Sequence, residues 1–382
     1  MHSGVASYIG AAHQVAIGRN PRLLSGPERL YLDHAATTPV LPEARAAMTA
    51  ALELWANPSS PHADGRRARA ALEEARKTIA EALGWRHDVI LAGATEAIQI
   101  VAERAKAGRR IVGATEHDAV IAAMGNSATV LPVDGGGLID IAALQASLDD
   151  GPALVAVQYV NNETGVIQPI AHIHELIREA GSLLLADCAQ AAGKVALPDA
   201  DFIAVSAHKF GGPPGMGALL VKDLATLTPS GGQERGYRRG TENLPAAAGM
   251  AAALASKAFV NAMPRLTELR RHLDQEIKGL GGVVIAEDAP RIATISAYAM
   301  PGVASASQLV QFDLVGISVS AGSACSSGSM KPSRVLAAMQ VPAEFAGSTI
   351  RVSFGPETSE GDIARFLDAW RGIAERAKAR AA

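Results

Sequence analysis

The chain has 382 residues, 48% hydrophobic and 19% charged, with a formal charge of −3. That length exceeds one ordinary core and predicts two packed domains, and the composition is that of a folded globular chain rather than a disordered one. The balanced charge supplies no basic field for nucleic acid, and no apolar run approaches the roughly 18 residues that span a bilayer, so neither partner is expected.

Two cysteines, Cys188 and Cys325, argue against a disulfide framework and for a reducing, cytoplasmic compartment, where a cysteine that matters acts as a thiol. Residues 1–29 carry Arg19, Arg22 and Arg29 with no acid before Glu28. They read as an N-terminal extension, or a start placed too early; an organelle transit peptide is the alternative.

A short strand is expected from Leu30 to Asp33, running into the turn Ala36-Thr37-Thr38-Pro39. After the polar loop Asn57 to His62, a helix from about Arg67 to Leu83 buries Ala68, Leu72, Ala75 and Ile79 on one face and stops at Gly84. Strands are then predicted at Val89 to Leu91, Ile111-Val112, Val130 to Val133, Leu154 to Tyr159, Leu183 to Ala186, Phe202 to Val205 and Gly217 to Val221. Helices fall between several of them, including Ile141 to Leu148 and His172 to Ala180. Apolar runs without period-two alternation, interleaved with helices, indicate a parallel sheet covered on both faces.

From about Pro245 the pattern changes to an alanine-rich helix reaching Ala258 and a charged amphipathic one from Arg265 to Leu280. Strands at Val283 to Ile285, Ile292 to Tyr298, Ile317 to Ser320 and Thr349 to Ser353 follow, with a helix near Ser307 to Leu314. A closing helix, Gly361 to Lys378, starts behind Ser359 as N-cap. The expected organisation is an extension (1–29), a large α/β domain (30–257) and a smaller α+β domain (258–382).

Lys209 is the oddest charge in the chain. It stands directly behind the apolar run Phe202 to Val205, inside Ser206-Ala207-His208-Lys209-Phe210-Gly211-Gly212-Pro213-Pro214-Gly215. Strand ends are where such sheets place ligands, which makes Lys209 a candidate Schiff-base lysine, with a surface lysine on a turn as the alternative. Four other groups also stand at strand ends. Asp187 closes Leu183 to Ala186, where an unpaired carboxylate is costly and could serve a pyridinium nitrogen or simply cap a turn. Gly93-Ala94-Thr95-Glu96 turns a strand into a helix whose free N–H groups suit a phosphate. His117 follows Ile111-Val112, and Asn161-Asn162-Glu163-Thr164-Gly165 follows Val160; each suits a ligand or a plain loop.

The joint order of these motifs resembles the group I cysteine desulfurases, the iron–sulfur assembly branch of the class V aminotransferase family within fold-type I pyridoxal-phosphate enzymes. The resemblance runs from Tyr31-Leu32-Asp33-His34-Ala35-Ala36-Thr37-Thr38-Pro39 through the stretches above and Asp187-Cys188-Ala189-Gln190. It continues with Gly231 to Gly236, Arg239-Gly240-Thr241-Glu242-Asn243, Gly322-Ser323-Ala324-Cys325-Ser326-Ser327-Gly328 and Arg351 to Gly355.

It implies an α/β fold with a mainly parallel seven-stranded sheet, a smaller α+β C-terminal domain and pyridoxal 5'-phosphate as cofactor. By the same resemblance Lys209 carries the cofactor, Asp187 pairs with its ring nitrogen, Gln190 bonds the ring hydroxyl and His117 stacks on the ring as an acid/base. Ala94, Thr95, Ser206 and His208 hold the phosphate, and Thr241 reaches it from the partner subunit of a homodimer. Asn162 and Arg351 position the substrate, Arg351 as a bidentate clamp on its carboxylate. No metal is expected.

Cys325, among small polar residues, reads as a reactive thiol; Cys188, beside Asp187, reads as a small core residue. The implied reaction converts L-cysteine to L-alanine, leaves sulfur as a persulfide on Cys325 and passes it to an iron–sulfur scaffold or another acceptor. Ala97, Ile98 and Gln99 depart from the polar run expected after Glu96, and Pro214 replaces a basic residue; both departures touch the cofactor region. Selenocysteine lyase, ordinary class V aminotransferase and non-catalytic scaffold remain the alternatives.

Overall fold

The structure, a computed structural model, describes residues 29–322 and 333–381; Cys325 lies outside them. A two-residue strand, β1 (Leu30–Tyr31), precedes seven that form the central sheet: β2 (Asp88–Leu91), β3 (Arg109–Gly113), β4 (Thr129–Leu131), β5 (Ala153–Gln158), β6 (Leu183–Asp187), β7 (Phe202–Ser206) and β8 (Gly217–Val221). β5, β7 and β8 are buried at every residue, which is why their sequences run apolar without alternation. The strand order is β2-β8-β7-β6-β5-β3-β4. Pairing is parallel from β7 to β4, whereas β8 runs antiparallel to both neighbours. β2 therefore points the same way as β7, and the carboxyl ends of β2, β3, β5, β6 and β7 share one edge.

The helices up to this point are α1 (Pro42–Leu52), α2 (Ala63–Ala82), α3 (Ala94–Arg104), α4 (Asp118–Met124), α5 (Ile141–Leu148) and α6 (Ile170–Glu179). α1 is absent from the sequence expectation, though proline in the first turn and an alanine-rich body favour it. α2 starts earlier than expected because the His62 ring accepts a hydrogen bond from the Gly65 N–H. α7 (Leu244–Ala255) packs on α1 and α2.

The C-terminal part opens with α8 (Ala258–Gly279). β9 (Val283–Val284), β10 (Ile295–Ala299) and β12 (Thr349–Ser353) form an antiparallel sheet. α9 (Ser305–Leu314), β11 (Ile317–Ser318), the short α10 (Arg334–Ala338) and α11 (Ala343–Ala346), and α12 (Glu360–Ala381) complete the order. Phe312 stacks on Phe366 with ring centroids 5.0 Å apart, against Trp370. α12 begins at a reciprocal cap: Ser359 Oγ accepts from the Asp362 N–H while Asp362 accepts from the Ser359 N–H.

β1 pairs in parallel with β11, and Asp33 bridges to Ser353. The first described segment is thus tied to C-terminal strands, and Ala35 to Thr38 run from them to the edge of the central sheet, where Thr38 N–H donates to the His208 carbonyl.

Candidate active site

At the shared edge lies a cavity of about 330 Å³ bounded by Ala94, Thr95, His117, Asn162, Asp187, Gln190, Ser206, His208 and Lys209, with Ala36, Ile98 and Gln158 among the remaining wall residues. Each functional side chain follows a strand. Thr95 lies in the first turn of α3 behind β2, His117 caps α4 behind β3, Asn162 follows β5, Asp187 ends β6 and Lys209 closes the short turn after β7.

Lys209 Nζ donates to the Ala35 carbonyl at 2.7 Å and to the Ala36 carbonyl at 2.8 Å. Gln190 Nε2 donates to the same Ala35 carbonyl at 2.9 Å, and Gln190 Oε1 accepts from Lys194 Nζ at 3.3 Å. Asp187 Oδ1 accepts from the Ala189 N–H at 2.9 Å. Burial raises the Asp187 carboxyl above its ordinary range, against the lowering influence of that bond and of His117 and Lys209. His117 Nδ1 accepts from the Ala119 N–H at 3.1 Å, so the neutral ring carries its proton on Nε2. Burial, then the neighbouring Lys209 and Lys194, lowers His208 to about 4; its Nδ1 lies 3.2 Å from Thr37 Oγ1.

The phosphate end is shaped by glycines. A methyl group on Gly217 would collide with the Val205 carbonyl and lie 3.2 Å from the Ala94 amide nitrogen, and one on Gly93 would lie 3.3 Å from the Gly215 carbonyl. Backbone can therefore close around the start of α3, whose first-turn N–H groups have no intrahelical acceptor; Thr95 and Ser206 line the same cavity.

Behind this wall Glu116 is fully enclosed. Oε1 accepts from the Gln158 N–H at 2.9 Å and Oε2 has no partner among the described residues; burial holds this carboxyl well above its ordinary range.

The family profile of class-V aminotransferases matches residues 30–366. A cysteine desulfurase from Cereibacter sphaeroides is 37% identical over 379 residues, spanning 92% of this chain and 97% of that protein. The chain belongs to the class-V aminotransferases, among the cysteine desulfurases. A solved NifS-like protein from Rickettsia africae ESF-5 superposes with a TM-score of 0.84 at 29% identity, covering 91% of this chain and all of that one. The protein SspA, solved in complex with cysteine, gives a TM-score of 0.72 at 27% identity, over 86% of this chain and 100% of that one. The cysteine desulfurase family is pyridoxal-phosphate-dependent, and its fold is the mainly parallel α/β architecture described above.

The cavity suits that cofactor. A carboxylate whose charge is disfavoured by desolvation shares one cavity wall with an amine and a glycine-shaped helix start. Eight of the expected cofactor and acid/base positions, with Asn162, line this one cavity.

Two expected residues are placed differently. Arg351 is buried on β12 outside the wall; it donates to Asp33 Oδ1 at 2.8 Å and to the Asn162 carbonyl at 2.9 Å, and its Nε has no partner among the described residues. Thr241 is exposed and also outside the wall. Cys325 lies outside the described residues, but both flanks of its segment meet Glu163. Ser333 Oγ donates to Glu163 Oε2 at 2.6 Å, and a methyl on Gly322 would collide with that same oxygen.

Sequence reasoning missed Lys194 and Glu116. Lys194 sits in an Ala-Gly-Lys turn that reads as surface; its one signal is placement four residues after Gln190. Glu116 was seen only as the neighbour of His117.

Proposed function

We propose that the protein is a pyridoxal-phosphate-dependent cysteine desulfurase that converts L-cysteine to L-alanine and takes the sulfur onto Cys325 as a persulfide. The observation that carries this reading is the Lys209 amine, held on two backbone carbonyls in a cavity that also contains Asp187, His117 and the start of α3.

Lys209 supplies the amine for covalent attachment of the cofactor. Asp187 would pair with the ring nitrogen, Gln190 would face the ring oxygen and His117 the ring plane. The first turn of α3 with Thr95, Ser206 and His208 would take the phosphate, joined by Thr241 from the partner subunit of a homodimer. When bound, pyridoxal phosphate draws electrons from the carbon next to the substrate amine.

The Lys209 amine would take the α-proton. His117, whose Nδ1 accepts from the Ala119 N–H, would carry the proton of its neutral ring on Nε2. Asn162 borders the substrate space, and Arg351 fixes its loop through the Asn162 carbonyl. A substrate carboxylate binds Arg351 by replacing that carbonyl or Asp33 as a partner.

The Cys325 thiolate forms the new S–S bond to the substrate sulfur as the Cβ–S bond breaks. The bonding pair stays on carbon, which gains a proton. One cysteine and one enzyme thiol thus become alanine and a persulfide, with no outside oxidant. The persulfide serves an iron–sulfur scaffold or another sulfur acceptor.

Purified protein should be yellow and should form alanine from L-cysteine. A colourless protein that gains no visible band with added pyridoxal phosphate would overturn the reading.

A further inference from the structure

Lys194 is a lysine that the proposed reaction does not use, and only 3% of it is exposed. Its ammonium lies 5.2 Å from the centre of the Phe259 ring on α8 and donates to Gln190 Oε1 at 3.3 Å. No carboxylate among the described residues forms an ion pair with it; the titratable groups that feel it are Lys209 and His208 after β7 and His34 after β1, all bases. Burial, then Lys209, lowers Lys194 to about 7. A buried lysine is costly to keep unless it is engaged.

Its engagement is one-sided in a useful way. In its protonated form Lys194 can only donate, and a backbone carbonyl can only accept. Lys194 therefore requires oxygen at one end of the Gln190 amide, and the Ala35 carbonyl requires nitrogen at the other. Reversing the amide would set N–H against ammonium and oxygen against oxygen. The Ala35 carbonyl is also shared with Lys209, so Lys194 is the partner of Gln190 that does not depend on where the Lys209 amine is.

We propose that Lys194 is a positioning residue: by holding Gln190 Oε1 it makes the Gln190 amide offer the cofactor cavity an N–H donor, suited to an anionic ring oxygen, rather than an acceptor. This rests on the cofactor reading above.

The test uses the full chain with pyridoxal phosphate and reads the cofactor dissociation constant together with the pH at which the bound cofactor's visible band converts. Lys194→Met is expected to weaken binding about tenfold, the scale of one lost hydrogen bond to an ionised group. It should also move the spectral transition upward by about one pH unit, since a donor and a positive charge near the anionic oxygen are lost together. Lys194→Gln, which keeps a donor, should recover most of the affinity. On a Gln190→Ala background Lys194→Met should add nothing to the affinity loss.

Should Lys194→Met fail to fold, Gln190→Glu carries the test with Lys194 intact. It puts an acceptor where a donor stood and should bind more weakly than Gln190→Ala. Unchanged affinity and spectrum in Lys194→Met, its full affinity loss persisting without Gln190, or Gln190→Glu binding as well as Gln190→Ala would overturn the proposal. A wild-type protein that shows no visible band would remove the cofactor reading and this proposal together, whereas a wild-type band with any of those results removes the proposal alone.

Discussion

Lys209 and Gln190 donate to the same oxygen, the carbonyl of Ala35, at 2.7 and 2.9 Å. That carbonyl belongs to the segment that starts on β1, pairs with the C-terminal strand β11 and ends beside the turn after β7. The amine at the centre of the site is therefore held by backbone from an element far away in sequence.

Asp187 makes the first prediction. Because burial raises its carboxyl pKa, the native chain binds this proton more readily than the unfolded one. The associated stability is present below the unfolded pKa and is lost as pH rises through the folded value. At neutral pH the charge thus costs stability in the absence of a cationic partner. Asp187→Asn should leave the cofactor-free protein at least as stable as wild type in thermal melts. It should weaken pyridoxal-phosphate binding by roughly 10- to 100-fold, the range for a hydrogen bond between charged groups.

His34 gives a pH prediction. Burial, then Lys194, lowers it from 6.5 to about 4, so in that window the unfolded chain binds a proton that the native chain refuses. Stability falls as pH drops from 6.5 towards 4. Other groups titrate in the same range, so the informative quantity is the difference between proteins. His34→Asn should lose stability less steeply on acidification, by up to about 1.4 kcal/mol per pH unit, in urea unfolding across that window.

Gly322 and Ser333 flank the segment that carries Cys325, and both meet Glu163. Gly322→Ala should force a shift there while leaving the cofactor band intact. Since misplacement by about 1 Å can cost roughly 10²-fold, single-turnover alanine formation should slow on that scale. Unaltered turnover would show that this flank has no bearing on delivery of the thiol.

Thr241 is exposed and outside the cavity wall of its own chain, the placement expected if it completes the site of a second copy. Thr241→Val should weaken cofactor binding roughly tenfold. Mixed dimers of Lys209→Ala and Thr241→Val chains should contain one site of wild-type affinity, measured by cofactor titration. Mixed dimers with no such site would place Thr241 in its own chain's site.

Much of this site was legible in the sequence because its chemistry stands at strand ends. Lys209 behind Phe202 to Val205, Asp187 behind Leu183 to Ala186 and Thr95 at a glycine-led helix start each interrupt an apolar run with a polar group. The antiparallel direction of β8 was not legible, since a fully buried strand reads alike in either direction. α1 was missed because its pattern of small residues has weak periodicity. Arg351 reads as a free clamp, but its tie to Asp33 spans 318 residues, a contact that only tertiary packing creates. Lys194 was invisible for the same reason: a glycine-lysine turn looks exposed until α8 covers it.

The central claim is that Lys209 prepares the substrate and Cys325 takes its sulfur. The most direct measurement is a single turnover with L-cysteine, quantifying alanine and the mass of the Cys325 peptide. Wild-type protein is predicted to yield one alanine per active site and a Cys325 peptide heavier by one sulfur, and Cys325→Ala to yield neither. Alanine formed at the wild-type rate by Cys325→Ala, or keto-acid-dependent transamination in place of sulfur release, would contradict it.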